Sequence, residues 1–396
     1  MLAINGGVPT FEKKIGYGHQ FIDEADIASV VEVLKGDYLT CGPKVKELEE
    51  KLCQYTDAAY AVPVTSGTAA LHIACMAAGI SEGDEVIVSS ITFAASANCV
   101  LYCGGTPVFA DVKPDTYNIN PEDVKRKITL KTKAVIAVDF TGQASDLDEI
   151  RRICDENKLI FIEDAAHAIG TVYNGKKVGS IADMTCFSFH PVKTVTSGEG
   201  GGVTTNSLGY YKKLTLAHAH GITRDDSLME EAHDGEPWYY EQVSLGYNYR
   251  MTDFQAALLM SQLDKLDRFK KRRQEITNLY NNAFSSLEGI ILQKENEKSD
   301  TCRHLYTIRI DENKLSCNRR EFFAALSAEN IGCQVHYIPV YWFPYYQKLG
   351  YKKGLCPNAE QIYNSILSIP IHPDMTDEDA SKVIEAVGKV AEYYLR

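Results

Sequence analysis

Between about residues 60 and 205, short apolar runs alternate with helical stretches, and this alternation limits the possible folds more than any other feature. The runs are Glu85–Ser89, Thr106–Asp111, Ala134–Asp139, Leu159–Glu163 and Met184–Phe189. Several are almost continuously apolar, the pattern of strands covered on both faces. Helical patterns fall between them, for example Thr68–Ala78 and Leu147–Glu156. Strand–helix alternation predicts an α/β domain with a mainly parallel sheet. Ligands of such sheets sit beyond the carboxyl ends of the strands, so the polar residues just after each run are the candidates for chemistry.

Further along, Asp253 to about Phe284 reads as one long helix, with Lys270, Lys271, Arg272 and Arg273 forming a solvated basic face. After about residue 300 the pattern becomes Leu305–Ile310 (strand), Arg320–Glu329 (helix), Cys333–Ile338 (strand) and Asp377–Tyr394 (helix). The expected division is therefore a large domain over 1–252, and a linking helix with a smaller α+β domain over 253–396.

Composition narrows the function. The net charge of −12 argues against non-specific nucleic-acid binding, which requires phosphates to be neutralised. No apolar run reaches the roughly 18 residues of a membrane-spanning helix, and the first residues lack an apolar signal core. The 11 cysteines form no CxxC pair, which predicts reduced thiols and a cytoplasmic protein. His218 and His220 have no acidic or cysteine neighbours in sequence, so no metal is expected.

Three segments carry chemistry. Thr65-Ser66-Gly67-Thr68 stands before an Ala-rich helix. Free N–H groups at a helix start, with hydroxyls and a glycine, can cradle a phosphate, although Ser or Thr there also serves as an ordinary cap. Asp164 ends the run KLIFIE. A carboxylate at the end of a buried strand needs a partner; a protonated ring nitrogen would serve, and so would a helix N-terminus. Lys193 follows the run CFSFH and precedes a glycine-rich turn. An apolar setting lowers a lysine's pKa and makes its amine nucleophilic. Together the three match the needs of pyridoxal phosphate: an anchor for the phosphate, a lysine for the Schiff base, and a carboxylate that keeps the pyridine nitrogen protonated. Phe93 could stack on the ring or belong to the core.

The motifs SGTAAL (Ser66–Leu71), ITFAASAN (Ile91–Asn98), EDAAHA (Glu163–Ala168), FSFHPVKTVTSGEGG (Phe187–Gly201), GYNYRMTDFQAAL (Gly246–Leu258) and VHYIPVY (Val335–Tyr341), with Gly42-Pro43 before a charged helix, extend over nearly the whole chain. They resemble the DegT/StrS family of pyridoxal-phosphate-dependent sugar aminotransferases. The resemblance implies a fold-type I transferase, with a mainly parallel seven-stranded sheet in the large domain and a smaller α+β C-terminal domain. It implies Lys193 as the Schiff-base lysine and Asp164 at the pyridine nitrogen. Ser66, Gly67, Thr68 and Ser188 would hold the phosphate, Phe93 would lie on the ring, and His167 near the phenolic oxygen, where many relatives have Gln. Asn248 would reach a partner's phosphate in a homodimer with shared sites.

The substrate contacts implied are Tyr17 in an N-terminal segment, the loop Asp37, Tyr38, Leu39 and Thr40, and His336, Tyr337 and Tyr341. Within the family, FSFHPVK and VHYIPVY resemble enzymes of the pseudaminic acid pathway. That implies L-glutamate as donor and a UDP-linked 4-keto-6-deoxy-N-acetyl-hexose as acceptor, giving UDP-4-amino-4,6-dideoxy-N-acetyl-β-L-altrosamine. Other keto sugars, dTDP-linked or aminated at C3, and a non-catalytic sensor are the alternatives. Dehydratases of this group carry histidine at the position of Lys193, which argues against that chemistry.

Overall fold

In the computed structural model, which describes residues 1–231 and 235–396, the apolar runs build one seven-stranded sheet. Its strands are β1 (Tyr60–Val64), β2 (Glu85–Ser89), β3 (Thr106–Ala110), β4 (Thr132–Val138), β5 (Ile160–Asp164), β6 (Met184–Ser188) and β7 (Gly201–Thr205). Their spatial order is β1-β7-β6-β5-β4-β2-β3. β7 runs antiparallel to both β1 and β6, and the remaining pairs are parallel. The alternation did not reveal β1, an edge strand whose apolar run is interrupted by Pro63, or β7, which opens on Gly201-Gly202 and has no apolar run.

The period-two geometry of a strand sends alternate side chains to opposite faces. Val86, Val88, Ala134 and Ile136 enter one core, beneath α3 (Gly67–Ala77), α4 (Ala95–Tyr102) and α7 (Leu208–His218). Ile87, Val135, Ala137 and Phe161 enter the other, covered by α2 (Pro43–Thr56), α6 (Leu147–Asn157) and α8 (Asp253–Leu263). Both faces are dry, which is why the strands read as continuous apolar runs.

The long helix expected from 253 to 284 is two helices, α8 and α9 (Leu266–Phe284), broken at Asp264-Lys265. The break lets α8 lie on α1 (Glu24–Lys35) and α2, with Lys265 at the break paired to buried Asp26 at 2.7 Å. α9 instead packs into a third core with β8 (Ile290–Leu292), β9 (Tyr306–Ile310), β10 (Ile366–Ile369), α10 (Arg319–Ala328) and the C-terminal helix Asp377–Tyr394. Leu2 and Phe11 belong to this core too, so the N-terminal strap packs with the C-terminal unit and not with the large one.

Two further expectations change. Cys333–Ile338 is not a strand: Gln334 exchanges backbone hydrogen bonds with Ser368 at 3.1 and 2.8 Å, and the chain then turns off toward the large sheet. β10 takes the third place in the small antiparallel sheet. The basic face of α9 is not uniformly solvated either, because Arg273 is completely buried and Lys270 donates to the Gly170 carbonyl at 3.0 Å. Among the described residues, no helix is long and apolar enough to cross a membrane.

Candidate active site

The carboxyl ends of β4, β5 and β6 meet the start of α3 around a cavity of about 480 Å³. Val138, Asp164 and Ser188, each the last residue of its strand, line it together with Ser66, Gly67 and Thr68. Ser66 is the N-cap of α3, its hydroxyl accepting the Ala69 N–H at 3.1 Å. The capping role and the cradle thus coexist in one turn. Glycine is required beside it for space: a Cβ on Gly67 would stand 2.8 Å from the Ser188 Cβ, and one on Gly201 would stand 2.3 Å from the Ser66 carbonyl oxygen. The helix start is pressed against the ends of β6 and β7, leaving a concave surface of N–H groups and hydroxyls suited to an anion.

Asp164 is 4% exposed. The Ser96 hydroxyl donates to its Oδ2 at 2.5 Å and the Ala166 N–H to its Oδ1 at 3.2 Å. Burial raises its pKa, while these two donors and the charge of Lys193 act against that rise. Ser96 in turn lies 2.6 Å from the Thr92 hydroxyl. Neither Thr92 nor Ser96 was a sequence candidate. Their i, i+4 spacing within ITFAASAN was the available signal.

Lys193 opens to the cavity from the turn after β6, its N–H donating to the His190 carbonyl at 2.9 Å. Desolvation of its ammonium brings the pKa down to about 8, with Asp164 opposing. The opposite wall comes from the small unit and the N-terminal strap. His336 Nδ1 is 2.7 Å from the Ser368 hydroxyl, and burial beside Lys193 pushes it down to about 3, so the ring is neutral. Tyr337 lies 3.1 Å from His167 Nε2, and the rings of Tyr17 and His336 are 5.2 Å apart. His167 Nδ1 is buried without a hydrogen-bond partner among the described residues. Behind it stands His304, ring centroids 4.6 Å apart, a neighbour no local pattern announced. Phe93 is 62% exposed at the mouth. His190, Val192 and Glu199 also line the cavity and were not anticipated, although all fall within the FSFHPVKTVTSGEGG run.

Other candidates stand elsewhere. Tyr341 is a correction: it is completely buried in a 3-10 turn facing the large unit, donates to Glu360 at 2.9 Å and packs on Phe109. Asp37, Tyr38, Leu39 and Thr40 are exposed on a loop outside this cavity, and exposed Asn248 pairs with Ala219.

The model of the DegT/DnrJ/EryC1/StrS aminotransferase family matches residues 20–388. The chain belongs to this family. It is 42% identical over 373 residues to the spore coat polysaccharide biosynthesis protein SpsC of Bacillus subtilis, covering 94% of this chain and 95% of that protein. It is 38% identical over 381 residues to the UDP-4-amino-4,6-dideoxy-N-acetyl-beta-L-altrosamine transaminase of Campylobacter jejuni, covering 96% and 98% of the two chains. Among solved structures it matches Spr1654 of Streptococcus pneumoniae in its pyridoxal phosphate form, with TM-score 0.89, 31% identity, and coverage of 97% and 100%.

The protein is accordingly a pyridoxal-phosphate-dependent nucleotide-sugar aminotransferase of fold type I. The cavity fits that cofactor. The cradle is one that a Cβ at Gly67 would fill, the unpartnered His167 Nδ1 leaves a polar group free, and a desolvated amine faces a buried carboxylate.

Proposed function

We propose that this aminotransferase moves the amino group of L-glutamate to C4 of a UDP-linked 4-keto-6-deoxy-N-acetyl-hexose. The product is UDP-4-amino-4,6-dideoxy-N-acetyl-β-L-altrosamine. The observation that carries the reading is that desolvated Lys193 and buried Asp164 line one cavity, closed by His336 and Tyr337. The name and near-complete coverage of the Campylobacter relative support the choice of sugar.

Bound pyridoxal phosphate supplies an electron sink for the carbanion left when a proton departs. Lys193 Nζ, lowered by burial to about 8 so that a neutral fraction is present near neutral pH, would take the proton from the α-carbon of glutamate and return it on the far side of the nitrogen, at the carbon that carries the cofactor's aldehyde. In the second half-reaction it delivers a proton to C4 of the sugar. Asp164, kept anionic by Ser96 and the Ala166 N–H, holds the proton on the ring nitrogen. The N–H groups of Gly67 and Thr68 and the Ser188 hydroxyl would hold the phosphate, and Phe93 would lie on the ring. His167, oriented by Tyr337, donates toward the phenolic oxygen. Neutral His336 donates to the sugar without competing for the proton that Lys193 carries. Exposed Asn248 reaches the phosphate of a second copy, so the working unit is a homodimer.

The test is the visible spectrum of the purified holoenzyme. Glutamate should remove the lysine-bound cofactor band, and the UDP-4-keto sugar should restore it, with mass spectrometry showing the amino sugar. Restoration by a dTDP-keto sugar alone would overturn the assignment of the acceptor. A different keto sugar is the second reading, favoured by the higher identity to SpsC.

A further inference from the structure

The segment Asn248–Gln255 does more than present Asn248. The Thr65 N–H donates to the Tyr249 carbonyl at 2.9 Å, and Val64 pairs with Arg250, so the segment runs beside the strand end that leads into the cradle. Gln255 Nε2 donates to the Glu199 carbonyl at 2.8 Å, tying the glycine-rich turn after Lys193 to α8. Between these ties stands Asp253, completely buried, with no salt-bridge partner among the described residues.

Its carboxylate is spent on the start of another helix. Oδ2 accepts the Gly42 N–H and Oδ1 the Lys44 N–H, both at 2.9 Å. Gly42 is the N-cap of α2 and has no side chain to cap it, so Asp253 satisfies those donors from 211 residues away. Gly42 is glycine for space and not for conformation, since its φ is −97°. A Cβ there would stand 2.7 Å from Asp253 Oδ1 and 2.5 Å from the Tyr38 Cβ. Two motifs far apart in sequence are therefore halves of one fitting.

That fitting is the stem of the Asp37–Thr40 loop. The Asp253 N–H donates to the Leu39 carbonyl at 2.9 Å, and Thr40 pairs with Thr252. The backbone is held, while Tyr38 and Leu39 project at 60% and 48% exposure. A cavity of about 480 Å³ that also takes the cofactor is too short for a whole nucleotide sugar. A nucleotide end would extend past the rim, and Glu199 of the cavity lining is joined through Gln255 to the helix carrying Asp253.

We propose that Asp253 and Gly42 lock the Asp37–Thr40 loop in the pose that receives the nucleotide sugar, making Asp253 a positioning residue for the acceptor and not for the amino-donor chemistry. This rests on the acceptor reading given above. A loop ordered in advance binds without the entropic cost of being ordered by its ligand.

The experiment uses holoenzyme and UDP-N-acetylglucosamine as a non-reacting probe, titrated by calorimetry, with the glutamate-driven loss of the cofactor band and the sedimentation mass measured in parallel. D253N turns one acceptor oxygen into a donor facing an N–H, and G42A pushes a methyl into the same contact. Both should weaken UDP-N-acetylglucosamine binding by about tenfold or more, roughly the effect of one lost charge-assisted hydrogen bond. The glutamate response should stay within about twofold and the sedimentation mass should not change. K44A, which keeps the backbone N–H, should bind like wild type. If D253N does not fold, G42A decides. Wild-type affinity in the folded variants overturns the inference. So does a glutamate response that falls in step with binding, which marks a general structural role, or loss of the assembled mass, which makes the loop a contact between copies. A wild-type enzyme that ignores the probe overturns the UDP reading, and this inference with it.

Discussion

Two fully desolvated cations, Arg273 and Lys193, stand in different halves of the molecule and meet opposite fates. Arg273, in the seam between α9 and the C-terminal unit, is completely buried, yet its Nη1 donates to the carbonyls of Arg303, His304 and Ile371 at 3.3, 3.2 and 3.0 Å. Burial draws its pKa from the ordinary 12.5 down to about 10, which leaves it charged at neutral pH. Lys193 has no such cage. With Asp164 its only opposing influence, burial takes it to about 8, within reach of the neutral amine. Burial by itself does not make a reactive base: it lowers both cations by a similar amount, and the guanidinium, starting from 12.5, stays charged as a strut, while the ammonium, starting from 10.5, comes within reach of the neutral amine.

Lys193→Ala should break the comparison most completely. Turnover should fall by about 10⁴-fold or more, measured as amino-sugar formation, while some cofactor stays bound without a covalent link. Measurable turnover without added amine would remove Lys193 from its role. Asp164→Asn should lose about 10²–10³-fold even with saturating pyridoxal phosphate; a near-normal rate would show that the ring nitrogen's proton does not depend on it. Arg273→Met should leave three carbonyls short of a donor and destabilise the fold by roughly 3 kcal/mol in urea unfolding, with turnover per folded molecule close to wild type. A large catalytic loss there would erase the distinction between strut and nucleophile.

The pH dependence gives the finer contrast. Capture of pyridoxal phosphate by the cofactor-free protein should quicken as pH rises through about 8 and then level off. Because Lys193 is depressed below its ordinary 10.5, the unfolded chain binds more protons between about 8 and 10.5, so stability should rise with pH across that window. Lys193→Met should flatten this slope, seen in urea midpoints at successive pH values. The smallest effect belongs to His336: held at about 3, it should contribute no limb near pH 6.5 to the activity profile.

Much of the site was legible in the chain. The ends of β5 and β6, the helix start at Ser66–Thr68, and the turn bearing Lys193 are each defined within a dozen residues, because apolar period, caps and turn chemistry act over that range. Tyr341 shared a motif with Tyr337, but the 3-10 turn Val340–Trp342 sent it into the core and not the cavity. His304, the break between α8 and α9, the cage of Arg273, and the meeting of Gly42 with Asp253 across 211 residues had no local signal. The sequence by itself determined which side chains could do chemistry and which strand ends carry them. Only the tertiary structure decided which were desolvated and which found partners, because burial and hydrogen-bond supply come from elements distant along the chain, and those set the pKa of a lysine and the pose of a loop.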